Sequence, residues 1–278
     1  MRLARFAAAL VLLAVFAPPA HAQSKEALAL ADHVYESAGL AEQLRPVPAQ
    51  FERGILEQRG KLPEDMLQAL AEAGKKSFAA PRLHREVVAA LARRMSAADM
   101  KEVLAWLDAP LGRRVTGAEV AAASSMTPEA MEKYFEQEKS QPSGPKRVGM
   151  IAELITSTNS VEIAVNFIET ISLGVAVGMD ATQPVEKQIG IARLRERMRI
   201  AMPTEQLRAT LSASIPGMYR YTYRDISDED LAAYVKFNAA PLGLRYNKAV
   251  TDALAEVMTQ ASVRVGELVK TAPERKKI

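Results

Sequence analysis

After its apolar N-terminal segment the chain carries two histidines, His33 and His84, the first residues to weigh for metal or acid–base chemistry. Both stand among charged neighbours on helical segments, and no H-x-x-x-H spacing puts two imidazoles on one helical face. They read as solvated or locally hydrogen-bonded residues. There is no G-x-S-x-G to expose a nucleophilic serine and no glycine-rich loop to cradle phosphates. The absence of cysteine excludes disulfides, thiolate zinc sites and a thiol nucleophile. Asp225, Asp228, Glu229 and Asp230 form an acidic cluster without the alternating oxygen ligands and glycine of a calcium loop. Three of the four fall in the first turn of a predicted helix, where acids complement the helix dipole. A glycosidase would need two carboxylates brought together by the fold, which no spacing reveals. No catalytic residue, metal ligand or cofactor is assigned, and the protein is expected not to be an enzyme.

Other side chains are better suited to binding. Arg114 and Arg245 each follow a Pro-Leu-Gly turn, so they either meet an anionic partner group or bond to carbonyls at the end of the preceding helix or pair with a neighbouring acid. Between Lys187 and Arg224 there are eight basic residues and two acids. Arg193, Arg195, Arg197 and Arg199 are the candidate interaction residues of that stretch, which would suit an anionic envelope surface. Tyr219, Tyr221, Tyr223 and Tyr246 are candidates to line a pocket. Gly174 and Gly178 lie in the most apolar segment, Val161 to Met179. That segment is expected to be central in the fold or to contact another chain or an apolar ligand.

The elements that must position these residues are helices. Val250, Leu254, Val257, Ala261, Val265 and Leu268 recur at helical spacing, and strand-like alternation is nearly absent. Ile171 to Met179 and Tyr219 to Tyr223 alternate somewhat, but with no evident partner strand they read as helix. Residues 95–114, MSAADMKEVLAWLDAPLGRR, align without a gap to residues 226–245, ISDEDLAAYVKFNAAPLGLR, at a constant offset of 131. Seven of the twenty positions are identical, where unrelated segments give about one. Leu30 to Leu40 also lies on Ile151 to Val161, more weakly. Ser96 and Ser227 are predicted N-caps, with Asp99 and Asp230 three residues on. Met95 with Met100, and Ile226 with Leu231, form predicted staples. Pro110, Leu111 and Gly112, like Pro241, Leu242 and Gly243, then turn the chain into a second helix, a role that is expected to be structural. Thr127 is a further predicted cap.

The expected fold class is all-α: two related helical bundles, a tandem duplication following a cleaved signal peptide. The expected limits are 1–22 for the signal, 23–140 for the first repeat domain and 146–270 for the second. Arg2 and Arg5, an apolar run from Phe6 to Phe16 and the ending Ala20-His21-Ala22 predict cleavage between Ala22 and Gln23. The run is too short to span a bilayer. Export to the periplasm follows, without a lipoprotein anchor and without a transmembrane helix in the mature chain. Pro142, Gly144 and Pro145 mark the boundary between the halves, and the tail from Lys270 to Ile278 is expected to fray.

An exported leader, amphipathic helices and a capped helix ending in an aromatic residue before Pro-Leu-Gly-x-Arg, as at Trp106 to Arg114 and Phe237 to Arg245, together resemble one family. It comprises the helical, mostly proteobacterial periplasmic proteins of domain of unknown function 2059. The resemblance implies an all-helical fold and brings no catalytic residues with it. A formal charge of +3 over 278 residues is no footprint for nucleic acid. The expected role is a non-catalytic interaction or scaffold function in the cell envelope, with an envelope protein or an apolar ligand as partner. The alternatives are a carrier of an apolar or amphipathic small ligand and an unrecognised hydrolase.

Overall fold

Helices begin where a hydroxyl meets an open amide. The side chains of Ser24, Ser96, Thr127 and Ser227 accept from the amides of Ala27, Asp99, Ala130 and Asp230 at 3.0, 3.0, 3.2 and 3.1 Å, replacing partners that a first helical turn lacks. Several other helices carry proline in their first turn, where its missing N–H costs nothing. The computed structural model describes residues 24–181 and 183–271. Among these it contains fourteen α-helices, a short 3₁₀ turn at Val185–Lys187, and no strand. The all-α expectation holds, including the two segments with ambiguous periodicity. The cleavage site at Ala22 and Gln23 and the tail beyond Thr271 lie outside the described residues.

The first seven helices are α1 (Lys25–Ser37), α2 (Leu40–Leu44), α3 (Val47–Leu56), α4 (Glu64–Ser77), α5 (Ala80–Arg94), α6 (Ala97–Leu107) and α7 (Pro110–Ser125). They are followed by α8 (Pro128–Ser140), α9 (Pro145–Ser157), α10 (Ser160–Ala181), α11 (Gly190–Ala201), α12 (Thr204–Thr222), α13 (Asp228–Ala239) and α14 (Pro241–Lys270).

Burial runs across the midpoint of the chain. One core joins Val34, Leu70, Leu83, Leu91 and Met100 of the first half to Ala253, Val257, Met258, Ala261 and Val265 of α14. The other joins Ile151, Leu154, Tyr223, Leu231 and Val235 of the second half to Val115 of α7. α14 packs on α4, α5 and α6, while α7 reaches α12 and α13. Each of these two helices follows a Pro-Leu-Gly turn, and each helps to fill the core of the other half. A buried Val, Leu or Ile contributes about 1.5–3 kcal/mol, so the α14 stripe is a large share of the first core. Polar contacts reinforce the exchange: Glu256 of α14 accepts from Arg93 at 2.7 Å and from Arg94, and Arg264 donates to Glu86 at 2.8 Å. The Arg94 hydrogen bond holds the Glu256 carboxyl below the ordinary range.

α10 runs along α14. A Cβ on Gly174 would stand 2.6 Å from that of Ser262, so the helices meet closely because both residues are small. By length and composition α10 could cross a membrane. Its place between α14, α12, α11 and α4 also accounts for an apolar character on more than one face.

Candidate functional site

α11 packs on α10 and buries none of its own residues. Where these two helices meet α14, a partly open cleft of about 270 Å³ remains. Each helix supplies one stripe at helical spacing: Thr170, Leu173, Gly174 and Val177 from α10, Ile191, Arg195 and Met198 from α11, and Thr259, Ser262 and Val263 from α14. Met202 and Thr204 complete the wall between α11 and α12. The lining is mostly Leu, Val, Met and Ile side chains. Ile191 and Val263 are 46% and 39% exposed, so the cleft opens to solvent there, and the exposed Arg195 and Arg199 stand at its rim.

Three charged residues line that rim, and two are engaged. Glu169 accepts from Thr204 Oγ1 at 2.5 Å, and Arg199 makes a two-pronged bond to Glu196 at 2.9 and 3.1 Å. Arg195, exposed on α11, has no ion pair among the described residues. Such an arrangement holds an apolar body inside and leaves a cation free for an anionic end group. Of the four arginines read from the sequence, Arg193 and Arg197 lie on a different stripe of α11. The helical period places them nearly opposite Arg195 and Arg199.

The two turns occupy corresponding places. Trp106 stacks on Phe237 with ring centroids 4.1 Å apart and planes 11° from parallel. Arg114 donates to Asp230 at 2.8 Å, and Arg245 to Asp99 at 2.5 Å. Each arginine thus pairs with the acid in the first turn of the other half's capped helix, and the Arg245 hydrogen bond holds the Asp99 carboxyl below its ordinary value. Arg245 also donates to the Pro241 carbonyl at 3.2 Å. Gly112 and Gly243 lie against the carbonyl oxygens of Trp106 and Phe237, with no room for a Cβ. Leu111 packs on the second core and Leu242 on the first. Pro110 and Pro241 open α7 and α14.

Tyr219, Tyr221 and Tyr223 form interhelical hydrogen bonds, and Tyr246 packs on the first core with its ring centroid 6.4 Å from that of Phe237. None of the four lines this cleft or the one at the end of α14. Tyr223 and Tyr234 both donate to Glu119 of α7, at 2.6 and 2.8 Å. Tyr219 pairs with Ser160, and Tyr221 donates to the Ser125 carbonyl at 3.2 Å. Burial raises the Glu119 carboxyl above its ordinary value and drives both tyrosine partners well up. Glu119 was not singled out in the sequence, although it shares the inward stripe of Val115 and Ala122. The histidines are locally paired, His84 with Asp32 at 2.6 Å while stacked on Tyr35, and His33 with Asp108 at 3.3 Å. No group of three His, Asp or Glu residues placed to hold a metal occurs among the described residues.

Residues 81–137, from α5 into α8, match the model of a family described as an uncharacterized protein conserved in bacteria (DUF2059). The matched segment, 57 of the 278 residues, contains Trp106, the first Pro-Leu-Gly turn and Arg114, the residues that resemble this family. No curated protein and no solved structure matches the chain.

Proposed function

We propose that this DUF2059-containing chain binds a small amphipathic molecule, without converting it, in the cleft between α10, α11 and α14. The carrying observation is an apolar wall of Leu173, Val177, Met198 and Val263 beside the unpaired Arg195. The volume is near the lower end of the about 300–1,000 Å³ typical of ligand sites, which suits one short apolar chain with an anionic end. The leader over residues 1–22, with cleavage between Ala22 and Gln23, supports export, so the working place is the periplasm. The reciprocal pairs Arg114–Asp230 and Arg245–Asp99 support descent of residues 23–140 and 146–270 from one duplicated helix set. α7 and α14 would then be equivalent helices exchanged between the halves.

A second reading, an interaction or scaffold role, is favoured by the outer face of α11 and the turn before it. Val185 and Ile200 are 82% and 71% exposed there, with Arg193 and Arg197 alongside. That face suits an envelope protein or an anionic envelope surface.

Titration with dansyl-undecanoate, an apolar chain ending in a carboxylate, tests the first reading. The mature protein is expected to bind it saturably, with blue-shifted emission. Val263→Trp should abolish the signal by filling the cleft, since Val263 is partly exposed and tolerates a larger side chain. Arg195→Ala should weaken binding about tenfold. Binding unaffected by Val263→Trp would remove the cleft as the site, leaving the second reading.

A further inference from the structure

The last turns of α14 pass beside the junction at which α4 ends and α5 begins. The three segments enclose a cleft of about 550 Å³ whose charged lining is Lys76, Arg82, Arg85, Arg264 and Glu267. Four cations therefore face one carboxylate. Glu86, close by, accepts from Arg264 at 2.8 Å and lies 3.8 Å from Arg82. Lys76 and Arg85 form no ion pair among the described residues.

Two polar atoms at this cleft are unusual. Ser77, which also lines it, is only 1% exposed. Its hydroxyl and the Nε of Arg264 are buried without a hydrogen-bond partner. A buried donor left unmade costs about 1–3 kcal/mol, so two such groups beside one cleft point to an absent acceptor. α5 also opens here. Its second residue, Pro81, has no N–H, and the Arg82 amide bonds to the Ala79 carbonyl at 2.9 Å. The Ala80 amide is therefore the one left open in the first turn, at the positive end of a fifteen-residue helix beside the same cleft.

We propose that this cleft binds a phosphoryl group. A carboxylate offers two oxygens, whereas a phosphate monoester offers three and carries up to two charges. The donors at the cleft are the Lys76 ammonium, the Arg85 guanidinium and the Ala80 amide at the start of α5, with the Ser77 hydroxyl and the Arg264 Nε–H buried beneath its wall. Lys76 and Arg85 are exposed and would meet the group from the solvent side, while Ser77 and Arg264 would reach it only by turning out from beneath the wall. Glu267 limits the excess positive charge and disfavours a larger polyanion. The site lies on a different face of α14 from the apolar cleft and does not depend on the amphiphile reading.

The test is calorimetric titration of the mature full chain with inorganic phosphate and glycerol phosphate, together with flotation on phosphatidylcholine vesicles with and without phosphatidic acid. Saturable binding of the soluble phosphates without flotation identifies a free phosphate compound as the source. Flotation dependent on phosphatidic acid identifies a lipid headgroup. In either case Lys76→Ala/Arg85→Ala, both at exposed positions, should weaken binding about tenfold or more. Ser77→Ala should weaken it too, while Lys248→Ala, an exposed cation elsewhere on α14, and Val263→Trp should leave it unchanged. No saturable binding in either arm overturns the proposal, as does an equal loss in Lys248→Ala, which would mark nonspecific charge attraction.

Discussion

Glu119 shows how one residue can be placed by the fold in a role its neighbours in sequence do not announce. It sits on the inward stripe of α7, where a carboxylate is costly unless donors meet it. Two tyrosine hydroxyls do so, from α13 and from the end of α12. Burial raises its folded-state pKa above the unfolded value of 4.5. Its contribution is therefore fully present below that unfolded value and is lost as pH rises through the folded one. Glu119→Gln keeps an acceptor for both hydroxyls and removes the titration. In urea titrations, the wild type should lose stability relative to Glu119→Gln as pH rises from about 4.5. Glu119→Leu should cost about 1–3 kcal/mol per stranded hydroxyl. A pH-independent gap between the wild type and Glu119→Gln would show that the carboxyl does not titrate differently on folding. Tyr223 was read as a pocket-lining candidate and Tyr234 was not singled out, because the acceptor they share lies about a hundred residues away in the chain, beyond the reach of any local pattern.

At the scale of the element, local chemistry was legible because it is local. Ser96, Thr127 and Ser227 cap the helices predicted for them, since hydroxyl and amide are three residues apart. The α14 stripe is buried at Val257, Ala261 and Val265, as its period requires. The two Pro-Leu-Gly turns owe their glycines to the close return of the preceding carbonyl. Alanine at either position would push a Cβ into backbone that cannot move without parting the two helices. Gly112→Ala and Gly243→Ala should each cost about 1–3 kcal/mol, by similar amounts, in chemical denaturation. An effect confined to one of the two would mean that the turns are not mechanically equivalent. What the sequence did not reveal is which helices each turn brings together. Arg114 and Arg245 were read as bonding to carbonyls at the end of the preceding helix, pairing with an acid or meeting an anionic partner. Both pair with acids, and the carbonyl that Arg245 reaches, Pro241, belongs to its own helix. Their acidic partners lie in the opposite halves, at sequence distances where no helical period applies.

On the scale of the whole molecule, the reach of α7 and α14 across the midpoint of the chain makes each core depend on both halves. That dependence gives α14 several tasks. It supplies part of the first core, runs against Gly174 of α10, and lines both clefts on different faces. The boundary near Pro142 and Pro145 was visible as a break between helices, but packing crosses it. The apolar cleft was not visible, because its three stripes come from segments far apart in the chain, although Arg195 and Arg199 had been singled out. The most direct measurement is native mass spectrometry of the protein released gently from cells that express the full chain, with wild type and Val263→Trp compared. Wild type should carry the added mass of a small amphiphile, lost on mild denaturation and absent from the variant. Bare wild-type protein that also fails to take up dansyl-undecanoate, or an adduct equally present on Val263→Trp, would contradict ligand binding in the cleft.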